Sequence, residues 1–124
     1  MELTIGYVLT YKKHMLASEV RKGSAELLIL GAIEARPRHG YEIAKLVEAR
    51  SLGTIELNSA TLYPTLHRLE RKRLIAGRWV ERDGERRRRF YRITSAGRAA
   101  LREQRRSWRS FIAALTRAAR IREA

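Results

Sequence analysis

Four consecutive arginines, Arg86 to Arg89, follow closely on an Asp83-Gly84 pair, and a second basic group, Arg68, Arg71, Lys72 and Arg73, lies upstream. Guanidinium groups at this density suit phosphate, which they hold by paired donors as well as by charge. The rest of the chemical inventory is thin. His14, His39 and His67 are scattered, there is no cysteine, and no acid pair, nucleophile–base set, phosphate loop or metal-ligand spacing stands out. Catalysis, a bound metal and an organic cofactor are therefore not expected. His39, just before Gly40, reads as a helix-start or turn residue, with Glu42 serving the first turn of its helix electrostatically.

The whole chain shares this bias. Over 124 residues it carries 27 Lys+Arg against 13 Asp+Glu, a formal charge of +14. Self-repulsion on that scale favours a polyanionic partner. The absence of cysteine agrees with the cytoplasm, and no run reaches membrane-spanning length. The first residues place an acid before their bases, unlike an export signal.

The elements that must position these groups can be read in order. Residues 1–20 follow neither a helical nor an alternating pattern; they are expected to be a disordered or non-native leader, with Met15 as an alternative start. From Ser24, a plausible N-cap, "SAELLILGAIEA" is nearly all apolar and should be a helix buried on most sides. "RPRHG" breaks it, and "YEIAKLVEARS" has the apolar stripe of a second helix. A third runs from about residue 59 to 73 with Leu62, Leu66 and Leu69 inward. Two antiparallel strands, about Ala76–Glu81 and Arg89–Ile93, are expected across an Asp-Gly hairpin. Thr94 or Ser95 then caps a long last helix reaching about Arg120.

Three helices, a hairpin and a long helix make a mainly α chain with a small β-hairpin. That is the plan of a winged helix-turn-helix, residues 21–94, with a C-terminal dimerisation helix, residues 95–124. In such a plan the third helix enters the major groove of double-stranded DNA and the hairpin is the wing. The outward face of helix 59–73 carries Tyr63, Pro64, His67, Arg68 and Arg71, with Ser59 and Thr61 at its tip. Hydroxyls and a helix N-terminus suit phosphate, while His67 and Arg68 suit base edges or phosphate. Of the wing segment 82–89, Arg86, Arg87 and Arg88 are the expected backbone or minor-groove contacts. Pro64 leaves two registers open. With Thr61 as cap its missing N–H costs nothing; with Asn58 or Ser59 as cap it lies in the second turn and bends the helix.

The last helix repeats Leu101, Trp108 and Leu115 at seven-residue spacing, with Phe111 and Ile112 widening the stripe. This is a short a/d seam. It is expected to cover itself with a second copy of the chain, a two-fold dimer, or to pack back on the first helix, or both. Trp108 reads first as an interface residue and second as a platform for a flat aromatic effector. A basic RNA-binding or nucleoid-coating protein would explain the charge equally well, but not paired half-sites.

"ELLILGAIEARPRHGYEIAKLVEAR", "ATLYPTLHRLERKRLI" and "RRRRFYRITSAGRAAL" resemble the PadR family of bacterial transcriptional regulators, in its branch with a single C-terminal helix. The resemblance implies a homodimeric winged-helix repressor acting on an operator. It also implies that Ser59, Thr61, Tyr63 and His67 face DNA, and that Trp108 stands where some members line a ligand pore. Asn58-Ser59-Ala60 departs from the Ser-Pro-Gly type start of many members.

Overall fold

The computed structural model describes residues 23–122. The expected leader and Met15 lie outside them. Helix α1 occupies residues 23–32, and no residue from 24 to 34 is fully exposed. Ala25, Ile29, Leu30, Ala32 and Ile33 are all buried, as the continuous apolar run requires. Residue 23 is already helical, so Ser24 lies inside the helix and is not its cap. Arg38 Nε donates to the Ala32 carbonyl at 2.8 Å and satisfies one of the groups that the end of α1 leaves open.

The segment read only as a break contains a short strand. β1, Arg38–His39, pairs antiparallel with the second hairpin strand, Arg38 opposite Tyr91 and His39 opposite Phe90. Helix α2, Gly40–Arg50, starts directly from it with His39 as N-cap. His39 Nδ1 accepts from the Glu42 amide at 3.3 Å, and the Glu42 carboxylate accepts from the His39 amide at 3.4 Å. This is a capping box, so Glu42 does more than sit near the helix dipole.

Helix α3 runs Ser59–Arg71, with the Asn58 side chain accepting from the Thr61 amide at 3.0 Å. The longer register is therefore the one adopted. Pro64 falls in the second turn and leaves the Ala60 carbonyl without its helical donor. One residue along, the Thr65 hydroxyl donates to the Thr61 carbonyl at 2.6 Å. The helix ends two residues before the expected Arg73. Arg73 itself has φ 60, its amide bonds the Glu70 carbonyl, and the Leu74 amide bonds the Leu69 carbonyl at 3.0 Å. That is a Schellman end with arginine in the left-handed position usually given to glycine.

Strands β2, Ile75–Val80, and β3, Arg88–Ile93, complete an antiparallel sheet of order β1-β3-β2. Asp83-Gly84 does not form the tight two-residue hairpin. The strands stop at Val80 and Arg88, and the Glu85 amide closes a turn on the Arg82 carbonyl at 2.9 Å. Gly84 has φ 73, but Asp83 does not share it, so the turn with both central residues left-handed is ruled out.

Helix α4, Ser95–Ala118, is capped by Thr94, whose hydroxyl accepts from the Gly97 amide at 3.0 Å. The same hydroxyl lies 3.0 Å from the Leu74 carbonyl. A Cβ on Gly97 would collide with that carbonyl, so the start of α4 and the base of the wing meet backbone to backbone. Ile29, Leu30, Ile33, Ile43, Leu66, Leu69, Ile75 and Leu101 are fully buried between the helices and the sheet. Each such side chain contributes roughly 1.5–3 kcal/mol on leaving water.

Candidate nucleic-acid interface

A cleft of about 550 Å3 opens between the N-terminal part of α3, the start of α2 and the wing. Tyr63 and His67 line it from α3, Gly40 and Tyr41 from α2, and Trp79, Arg86, Arg87, Arg88, Arg89 and Tyr91 from the wing. α3 supplies Tyr63 and His67 together because they stand four apart, on the face opposite Leu62, Leu66 and Leu69. Gly40 permits the arrangement: a Cβ there would lie 3.2 Å from both the Tyr63 ring and its hydroxyl. Tyr63 therefore lies against the start of α2 and stays half exposed.

The sheet register sorts the arginines. Trp79 is opposite Arg89, and Val80 is opposite Arg88, so neighbouring arginines fall on different faces. The Arg87 guanidinium lies 4.7 Å and that of Arg89 5.6 Å from the centre of the Trp79 ring. Arg89 also donates to Glu70 of α3 at 2.8 Å, which fixes the wing to the helix. It reaches Glu70 by crossing Gly77, where any Cβ would come within 2.5 Å of its Nε. Arg88 turns the other way, its guanidinium 2.9 Å from His39 Nε2. The same Nε2 is 3.2 Å from a Glu42 oxygen. A neutral imidazole has one acceptor nitrogen, and Nδ1 already accepts the Glu42 amide. A proton on Nε2 suits Glu42 and leaves Arg88 loosely held. Burial pushes the His39 imidazole below its ordinary value; Glu42 opposes the shift, and Arg88, Arg36 and Arg82 add to it.

The cleft thus gathers Tyr63, His67, Arg86, Arg87 and Arg88 from the residues expected at the interface. It does not gather the others. Ser59 is exposed at the tip of α3, and Thr61, two residues on, is half-buried. Arg71 is exposed and makes no ion pair among the described residues. Arg68 bends back to α1, where its Nε donates to Glu26 at 3.0 Å, and Lys72 joins the same carboxylate at 3.2 Å. Sequence reasoning missed His39, Tyr41, Trp79 and Arg89 as lining residues. The Trp79–Arg89 pairing was recoverable only from the true hairpin register.

In α4, Leu101 is 1% exposed and belongs to the chain's own core, which corrects its reading as a partner contact. Trp108 is half-buried over α1, beside Gly23 and edge-on to Phe111. Phe111, Ile112 and Leu115 are 48–56% exposed along one stripe. Arg105 holds α4 to the end of α1 by a two-pronged pair with Glu34, at 3.0 and 2.8 Å. Among the described residues no cluster of acids and histidines could hold a metal, and no helix is long and apolar enough to cross a membrane.

Three helices, the last aligned beside a basic two-stranded wing, define a winged helix-turn-helix protein with an added C-terminal helix. Residues 29–103 match the transcriptional regulator PadR-like family. The chain belongs to that family, whose members are transcriptional regulators and not enzymes. It is 42% identical over 89 residues to the transcriptional regulator Rv3488 of Mycobacterium tuberculosis, covering 72% of this chain and 79% of that one. A transcriptional regulator from Clostridium thermocellum superposes with TM-score 0.73 at 25% identity, over 80% of this chain and 96% of the other. Bacillus subtilis PadR in complex with operator DNA shares the fold at TM-score 0.57 and 20% identity, over 63% of this chain and 46% of that one.

Proposed function

We propose that this chain is a homodimeric, cytoplasmic repressor that binds an operator through the α3–wing cleft. The observation that carries the proposal is the cleft itself, where Tyr63 and His67 of α3 face the wing arginines across one groove. Residues 59–73 then lie in the major groove, with Ser59 and Thr61 at the leading tip. Arg86, Arg87 and Arg88 of the wing hold the backbone or the adjacent minor groove. Arg68 and Arg71 sit further from the groove and add general positive potential. A second copy covers Phe111, Ile112 and Leu115 and sets two recognition helices roughly 34 Å apart, one turn of duplex. The domain division that follows is 21–94 for DNA and 95–124 for the dimer.

The test is a mobility-shift titration on duplex from upstream of the protein's own gene, at several salt concentrations. Affinity should fall steeply with salt, and Arg87→Ala/Arg88→Ala should make the slope shallower by about two phosphates. An unchanged slope refutes the wing assignment. Less than about a thousandfold preference for this duplex over bulk DNA or structured RNA would favour a coating protein instead.

A second reading concerns the groove of about 700 Å3 that Leu27, Trp108, Arg109, Ile112 and Ala113 line between α1 and α4. A flat aromatic inducer stacked on Trp108 would occupy it near the dimer axis. With Trp79→Phe, Trp108 is the sole indole, and its fluorescence reports the encounter. No response to a series of planar aromatics removes the reading.

A further inference from the structure

The cleft uses one face of the wing sheet. Gly77 and Trp79 of β2 lie opposite Tyr91 and Arg89 of β3, on the face that α3 covers. The alternate pairs, Ala76 with Arg92 and Arg78 with Phe90, must therefore point the other way. On that outer face Arg78, Arg82 and Arg92 surround a groove of about 480 Å3 floored by Pro37, Ala76, Val80 and Phe90. The floor is apolar and half open to water: Ala76, Val80 and Phe90 are all only partly covered. The Arg82 guanidinium lies 5.8 Å over the Phe90 ring.

Two features leave these arginines and their groove open to a partner. Arg68, Arg89 and Arg105 are each matched by a glutamate. Arg78, Arg82 and Arg92 have no such partner among the described residues. Moreover β2 is an edge strand of the sheet, so the groove runs beside a backbone edge that no other strand covers among the described residues.

We propose that this outer wing face docks an extended acidic segment of a partner protein, with carboxylates on Arg78, Arg82 and Arg92 and an aliphatic side chain on the Val80–Phe90 floor. The reading rests on the α3 cleft being the DNA side. Duplex seated there meets the outer side of the sheet only at the tip, where Arg88 lines the cleft, and leaves Arg78 and Arg92 further along that face free. A second copy of this chain, at +14, would be repelled by three further cations. A second duplex would satisfy the arginines but leave the apolar floor wet. A strand that carries acidic and aliphatic residues at alternate positions of one face, two residues apart, meets the charge, the floor and the open edge together.

The probe is a fluorescein-labelled (Glu-Ser-Leu-Ser)3 peptide, whose Glu and Leu share one strand face, titrated by anisotropy into the full chain with and without bound promoter duplex. Binding should survive the duplex. It should weaken about tenfold or more in Arg78→Gln/Arg92→Gln, the loss expected when charge-assisted contacts go. A (Glu-Ser-Ser-Ser)3 peptide of equal charge should also bind about tenfold more weakly, since it cannot fill the floor. His67→Ala/Arg87→Ala should spare the peptide and weaken the duplex; if it spares the duplex as well, the cleft reading fails while the peptide result stands. The proposal is overturned if (Glu-Ser-Leu-Ser)3 does not bind, if duplex displaces it, if (Glu-Ser-Ser-Ser)3 binds as well, or if Arg78→Gln/Arg92→Gln weakens duplex as much as peptide.

Discussion

Arg68 carries a sharp test, because the sequence places it on the DNA-facing side of α3 and the structure gives it a different task. Its Nε reaches Glu26 of α1 at 3.0 Å, and the Glu26 side chain is only 14% exposed. Lys72 shares the carboxylate, but its own side chain is 51% exposed. Removing Arg68 leaves a mostly covered carboxylate with one cation that is half in water. A charge-assisted hydrogen bond contributes about 1.5–3 kcal/mol. The exposure of the pair and the remaining lysine reduce this, so Arg68→Ala should cost about 1–2 kcal/mol. For a chain of this size that lowers Tm by roughly 3–5 °C per kcal/mol. Thermal unfolding at fixed protein concentration measures it, since assembly would otherwise shift the midpoint. In a Glu26→Gln background the same substitution should cost little, the difference being the coupling of the pair. Meanwhile the salt slope of duplex binding should match that of the unaltered protein, whereas Arg87→Ala should make it shallower by about one. If Arg68→Ala leaves Tm unmoved and makes the slope shallower by about one, the structural role is refuted and Arg68 is a phosphate contact.

Other outcomes follow from the caps and the joints. Arg73→Gly should raise stability by about 0.5–1 kcal/mol in urea unfolding, because glycine takes the left-handed position without strain. Gly97→Ala should cost at least the upper end of the ~1–3 kcal/mol range for overpacking, since the added methyl meets the Leu74 carbonyl and not a yielding side chain. Burial, which holds the His39 imidazole below 6.5, makes its neutral form the folded one, so its contribution is complete above pH 6.5 and is lost as pH falls below it. His39→Asn, which can still cap α2, should flatten that decline in a pH series of urea midpoints. Glu26 behaves differently. Burial would raise its carboxyl, but the bonds from Arg68 and Lys72 outweigh this and hold it below 4.5, so its contribution disappears only in stronger acid.

Much of this architecture was legible because local and global signals agree. The stripes Leu62–Leu66–Leu69 and Ile43–Val47 are buried as their spacing requires, and the Thr94 cap lies where its sequence context puts it. What was hidden depends on pairing at a distance. β1 is two residues long, too short for any periodicity, and exists only because Arg38 and His39 meet Tyr91 and Phe90 some fifty residues away. The Asp-Gly signal placed the turn but not its register, since the longer loop shifts which residues face each other. That shift decides that Trp79 stands beside Arg89. Arg68 and Leu101 were misplaced for one reason: helical spacing tells which residues share a side, not which neighbour occupies that side.

The joint between wing and last helix has a mechanical consequence. α4 contains 24 residues and leaves β3 through the single residue Thr94. At 1.5 Å per residue it is a rod of about 36 Å. A tilt of about 10° at the Gly97–Leu74 contact would swing its far end by about 6 Å, comparable with one residue pair of strand rise. Because a methyl cannot be added at Gly97 without moving the Leu74 carbonyl, the lever has almost no play at its pivot. In the proposed dimer, the tolerance for operators with slightly altered half-site spacing is then set at this hinge and not along the α4 seam.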